Sequence, residues 1–284
     1  MFDITSIIVI CGFEIVTTAK VLSNVWRLFF DTQLSMIVAK LEATHEKLIQ
    51  LNLVRTMQTK MNFLFITGVI VHLIAIDNII FQAQALFTNI IECIAFYEYI
   101  LLILYIRWMV YIINEQIPQR HSTISTLRDM YLEVIECLND INRSIYGLPA
   151  IWSFIGANVS QVELILYYGI IFRRSDETGY VTYIIITILT RLFNVILFYG
   201  IGDATEKEIN RMSLVLSQRS MIEKNPRIKR QIKFFILRRL HEHYHFKVFG
   251  IFGVNLRQLL LLLNNAVGYL VIQSLFRLNR IKNI

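Results

Sequence analysis

Long apolar blocks alternate along this chain with basic, amphipathic stretches. A bilayer core of about 30 Å takes roughly 20 helical residues at 1.5 Å each. Segments of that length, or close to it, run Ile4 to Val21, Met61 to Phe81, Phe87 to Ile113, Tyr146 to Phe172, Tyr180 to Gly202 and Val254 to Phe276. The first is short and carries Glu14. Between the third and fourth blocks, Leu127, Tyr131, Val134, Leu138, Ile141 and Ile145 recur at spacings of three and four, which puts them on one helical face. Leu41, Leu48 and Leu51 make a similar, less regular stripe. The pattern predicts an all-α integral membrane protein whose spans continue past the bilayer into a packed helical base.

Composition agrees with that reading. Of 284 residues 55% are hydrophobic and 17% charged, with a mean hydropathy of +0.53. Soluble domains average about 45–50% apolar and about 25% charged residues. Three prolines and eleven glycines leave little material for irregular structure.

Basic residues orient the spans, because connections on the cytoplasmic side accumulate Lys and Arg. The connection from Lys20 to Lys60 has six, and 11 of the chain's 28 lie between Asp203 and Gly250. Arg120, Arg128 and Arg143 follow the third block. The opposite side has no basic residue between Phe81 and Phe87, and only Arg173 and Arg174 before Tyr180. The long connections are thereby assigned to the cytosol and the C-terminus to the exterior. The net charge of +7 is then a basic cytoplasmic surface facing anionic lipid rather than a nucleic-acid footprint.

The remaining chemistry is sparse. Cys11, Cys93 and Cys137 are odd in number and far apart, so they spell neither a disulfide framework nor a metal site. Asp3 and Glu14 flank the first apolar run where a signal peptide would have basic and small residues, so that run is read as retained. The stretch His241-Glu242-His243-Tyr244-His245 contains H-E-x-x-H, which on a helix would offer two zinc ligands and a base. No Asp, Glu or His follows His245 to complete the site, and Arg238, Arg239 and Lys247 would repel a dication. The segment is read as a chance match. No cofactor is expected, and the chain is not expected to be an enzyme.

Polar groups inside apolar spans are costly against lipid and usually face a bundle or water. The spans carry His72, Asp77 and Gln82, then Glu92 and Tyr97, then Asn158, Gln161 and Glu163, then Tyr183, Thr187 and Arg191. They are read either as interhelical hydrogen bonds or as a hydrated pocket in the outer halves of the spans. His72, Asp77, Glu92, Tyr97, Asn158, Gln161, Glu163 and Tyr183 are the candidate pocket residues, suited to a polyhydroxylated or cationic ligand. Arg191 could instead neutralise one of the acids. The last span carries Asn264, Asn265, Tyr269 and Gln273.

That last region runs Phe246-Lys-Val-Phe-Gly250-Ile-Phe252-Gly-Val-Asn255 and then an apolar stretch through Gly268-Tyr269-Leu-Val-Ile272 to Leu275-Phe276. It resembles the C-terminus of insect gustatory receptors, where an F-x-x-x-G-x-F-like link precedes a span ending in T-Y, five hydrophobic residues and Q-F. Tyr269 and Phe276 match in register, whereas Gly268 stands for Thr and Leu275 for Gln. The Leu127 to Ile145 helix and the Asn139 to Gly147 stretch also resemble that family.

The resemblance implies a seven-span fold of which six are readable here, with the cytoplasmic tail and first span missing. It also implies a homo- or heterotetramer, possessing a central cation pore lined by the last helix. Residues 1–202 would form the ligand-binding bundle, with cytoplasmic connections at 20–60 and 114–145. Residues 203–253 would form a basic cytoplasmic anchor, and 254–284 the pore span and an external tail. Asn265, Tyr269, Ile272, Leu275 and Phe276 would line the pore or its gate. The implied activity is a tastant-gated, non-selective cation channel in the plasma membrane of sensory neurons. An insect odorant receptor shares the architecture. A secondary transporter should show paired spans broken by Gly or Pro, and none occurs.

Overall fold

The computed structural model describes residues 32–51, 83–118, 124–143, 155, 156, 158, 178–240, 243–248 and 252–282. The spans Ile4 to Val21 and Met61 to Phe81 lie outside them, as does most of Tyr146 to Phe172. The described elements are helices α1 (Thr32–Gln50), α2 (Ala83–Gln116), α3 (Ile124–Arg143), α4 (Thr178–Ile222) and α5 (Pro226–Leu240). A hairpin of β1 (Lys247–Val248) and β2 (Phe252–Gly253) follows, and then α6 (Leu256–Lys282).

The base forms as the spacing predicts. Leu127, Tyr131, Val134, Leu138 and Ile141 of α3 are all buried, and Leu41 and Leu48 of α1 are buried with them. Polar contacts at the edge fix how α1 lies on α3. Lys47 Nζ reaches the Glu133 carboxylate at 2.8 Å, and Thr44 Oγ1 donates to it at 3.2 Å. The Tyr131 ring is also fully buried, and its hydroxyl donates to the Ile209 carbonyl of α4 at 3.0 Å.

Helices α2 and α4 run side by side in the same direction. Successive contacts pair Tyr97 with Asn194, Asn114 with Glu208, Glu115 with Arg211 and Pro118 with Arg219. An aromatic layer of Phe96, Tyr99, Phe198 and Tyr199 packs between them, with ring centroids 5.5–6.3 Å apart. Helix α4 does not stop at Gly202, where its apolar run ends. It continues unbroken to Ile222, 45 residues and about 67 Å in all. Past Gly202 it is amphipathic, burying Ile209, Met212, Val215 and Leu216 in the base.

Helix α3 climbs back along α2 as far as Tyr99, whose hydroxyl donates to Asn142 Oδ1 at 3.0 Å. This changes the meaning of the third apolar block. Among the described residues, the stretch Phe96–Gln116 is the one helix long and apolar enough to cross a membrane. Yet Ile103, Ile106, Met109, Val110 and Ile113 are buried within the protein. A helix that is apolar all round suits either a protein core or lipid. Burial in protein therefore accounts for part of the apolar character of this block.

The turn after α4 is held by a buried ion pair. Arg219 Nη2 meets Glu223 Oε2 at 2.8 Å with both side chains almost inaccessible, and Arg219 Nη1 donates to the Pro118 carbonyl at 3.2 Å. Asn225 then caps α5, its side-chain oxygen accepting the Arg227 amide at 3.0 Å, and Pro226 takes the first helical position. Helix α5 packs back along α4, which brings the hairpin up beside Gly202. The hairpin pairs Lys247 with Gly253 and Val248 with Phe252. Asn255 caps α6 through its side-chain oxygen and the Gln258 amide, 3.0 Å apart.

Candidate functional site

Two places hold the candidate residues. The first lies between α2, α4 and the segment around residue 158. Tyr97 Oη and Asn194 Oδ1 are 3.3 Å apart, a long contact for an O–H donor. Arg191 Nη1 donates to Asn158 Oδ1 at 3.1 Å. Arg191 and Asn194 stand three residues apart on α4 and therefore share a face. All four are buried, and the Asn194 Nδ2 group is enclosed with no acceptor among the described residues. Burial of an amide donor without a partner costs on the order of 1–3 kcal/mol. Such a group is a standing donor for a polar guest.

Of the eight sequence-derived pocket residues, the structure thus brings Tyr97 and Asn158 into one cluster. Glu92 and Tyr183 lie on α2 and α4. His72, Asp77, Gln161 and Glu163 fall outside the described residues. Tyr97 is 14 residues from the start of α2, about 21 Å along the axis. Asn194 is an unforeseen member, and Arg191 serves as a hydrogen-bond donor to an amide. The signal available beforehand was the pair Arg191 and Asn194 at helical spacing inside an apolar run.

The second place is α6. Its first turns pack on the bundle through Leu259, Leu262 and Leu263. Beyond them Val267, Tyr269, Val271, Ile272, Leu275 and Phe276 are each more than half exposed, and Asn264 and Asn265 are exposed too. Among the described residues nothing covers this half of the helix. Asn265, Tyr269, Ile272 and Phe276 fall within an arc of about 60°, at 100° per residue. Leu275 lies about 60° outside that arc.

Of the H-E-x-x-H stretch, His241 and Glu242 lie outside the described residues, and residues 243–246 carry no helical structure. His245 instead turns Nδ1 toward Glu206 at 3.4 Å. Among the described residues no cluster of His, Cys, Asp and Glu is arranged to hold a metal ion.

The family model for 7tm Chemosensory receptors matches residues 15–273. No curated relative matches. Among solved structures, the chain is similar to the insect olfactory receptor OR5 from Machilis hrabei, with a TM-score of 0.55 and 10% identity. That likeness covers 91% of this chain and 75% of the other, and at this identity it speaks for the fold alone. A match over nearly the whole length, on a helical bundle of this architecture, places the chain in the family of insect chemosensory receptors, and with it among membrane proteins.

Proposed function

We propose that the chain is a gustatory receptor: a subunit of a tastant-gated, non-selective cation channel. The observation that carries this is the uncovered outer half of α6. It exposes large apolar side chains and at the same time Asn264, Asn265 and Tyr269. Lipid suits the first group and not the second. Copies of the same helix around an axis suit both, with the arc of Asn265, Tyr269, Ile272 and Phe276 toward the axis. An apolar ring of Phe276, with Leu275 beside it, would close the path by dewetting. Tetrameric assembly, an external C-terminus and the sensory plasma membrane belong to this reading, as do permeant cations.

The Tyr269 to Phe276 spacing favours a gustatory over an odorant receptor, since the likeness to the olfactory receptor concerns only the fold. The Asn194 Nδ2 group, enclosed with no acceptor among the described residues, is a donor suited to a hydroxyl of a polyhydroxylated tastant.

Whole-cell recording of the expressed chain against a panel of sugars and bitter amines tests the proposal. Sugar-evoked cation current that is lost in Asn158→Ala and Asn194→Ala at equal surface density supports it. Silence toward the whole panel, with protein at the surface, counts against it.

A further inference from the structure

A ligand opens a channel only if it binds the open arrangement more tightly, so something must join the pocket to the pore helix. The described contacts supply one continuous route. Arg191 and Asn194 sit on α4, and about two to five turns along the same helix Gly202, Glu206 and Asn210 recur every fourth residue on one face. Each meets the segment that leads into α6. Asn210 Oδ1 accepts the Tyr244 amide at 3.1 Å, while its Nδ2 donates to the Tyr244 carbonyl at 2.9 Å. Glu206 Oε2 accepts the Phe246 amide at 3.0 Å. Gly202 lies directly under Val254, so that a β-carbon there would stand 2.7 Å from Val254 Cγ1 and closer still to its carbonyl oxygen.

These three contacts hold both ends of the hairpin. The Val254 amide donates to the Phe246 carbonyl at 2.9 Å, closing the hairpin on itself, and both residues are fully buried. Two residues later α6 begins. The side chains of Glu206 and Asn210 bind the backbone of residues 244 and 246, and Glu206 also meets the His245 ring. They therefore fix the position of the chain whatever residues occupy 244 and 246. Since α4 is one uninterrupted helix, a tilt or slide at Arg191 reaches Asn210 without a hinge to absorb it.

We propose that Gly202, Glu206 and Asn210 form a latch through which α4 positions and moves the base of α6. The inference rests on the channel reading above. The latch acts on the pore helix through the hairpin and is a positioning element, not part of the pore.

The test uses the full chain in liposomes with two readouts. Hydrogen exchange at the Tyr244 and Phe246 amides reports the latch without any ligand. Exchange at Tyr244 should rise about tenfold in Asn210→Ala, matching roughly one hydrogen bond, and less in Asn210→Gln, which keeps both the acceptor and the donor. Glu206→Gln should loosen Phe246 by a smaller factor, and the exposed Lys207→Ala should change neither. The second readout is cation flux, basal and with sucrose, at equal protein and unchanged melting temperature. Flux should change by about tenfold in Asn210→Ala, by less in Asn210→Gln, and stay as it was in Lys207→Ala. Unaltered exchange in Asn210→Ala overturns the latch. Raised exchange with unaltered flux overturns its part in transmission. A parent chain that passes no ions while both amides stay protected overturns the channel reading, and transmission with it.

Discussion

At the scale of single residues, burial decides how much each polar group matters. Arg219 and Glu223 are nearly inaccessible, so removing one takes from the other the counter-charge one turn away. Glu223→Ala should cost about 3–5 kcal/mol in chemical or thermal unfolding, whereas replacing both by Met should be close to neutral. Equal losses in the two variants would show that the pair itself, not the remaining guanidinium, carries the stability. Cys137 on α3 illustrates the same force on an acid. Burial pushes its thiol up to about 11, aided by the Asp140, Glu136 and Glu133 carboxylates and opposed by the Lys40 ammonium. The folded state thus favours the neutral thiol. Its contribution to stability is complete below the unfolded value near 9 and is lost as pH rises from there toward 11. Maleimide should accordingly label Cys137 slowly in the folded receptor at pH 7–8, and rapidly once the chain is denatured. Fast labelling of the folded form would contradict its burial.

Elements show which features were legible beforehand. The α3 stripe was plain in the spacing of Leu127, Tyr131, Val134, Leu138 and Ile141, because one face of an amphipathic helix leaves a period in the sequence. The hairpin left no such trace. Its strands are two residues long, and its place is fixed by Glu206, Asn210 and Gly202, some 40 positions earlier. Gly202 read as the last residue of a span, and its close approach to Val254 gives it a second role. Gly202→Ala should force the hairpin off α4 and lower stability by about 1–3 kcal/mol, as overpacking does. Gly200→Ala, with open space at the same test position, should cost nothing of the kind. Comparable melting temperatures for the two variants would remove the steric argument.

At the scale of the whole molecule, the helices make two unequal regions: a well-covered base and an outer α6 that the other described residues leave bare. If α6 gathers around an axis with Phe276 at the constriction, Phe276→Ala should raise basal leak several-fold in a conducting channel, and a leak equal to the parent's would reject that position for the gate. A tag at Ile284 should be reachable by antibody on unpermeabilised cells, and access only after permeabilisation would invert the orientation. The sequence alone determined the helical class, the membrane, the amphipathic base and the family resemblance, because hydrophobic period, block length and basic asymmetry are local properties that chain order records directly. Only the tertiary structure decided that Ile103, Ile106, Met109, Val110 and Ile113 of the α2 apolar run are covered by protein, which polar residues meet at Arg191, and what α4 holds at its lower end. Those outcomes depend on contacts between residues about 35 to 100 positions apart, and burial in protein and burial in lipid write the same letters.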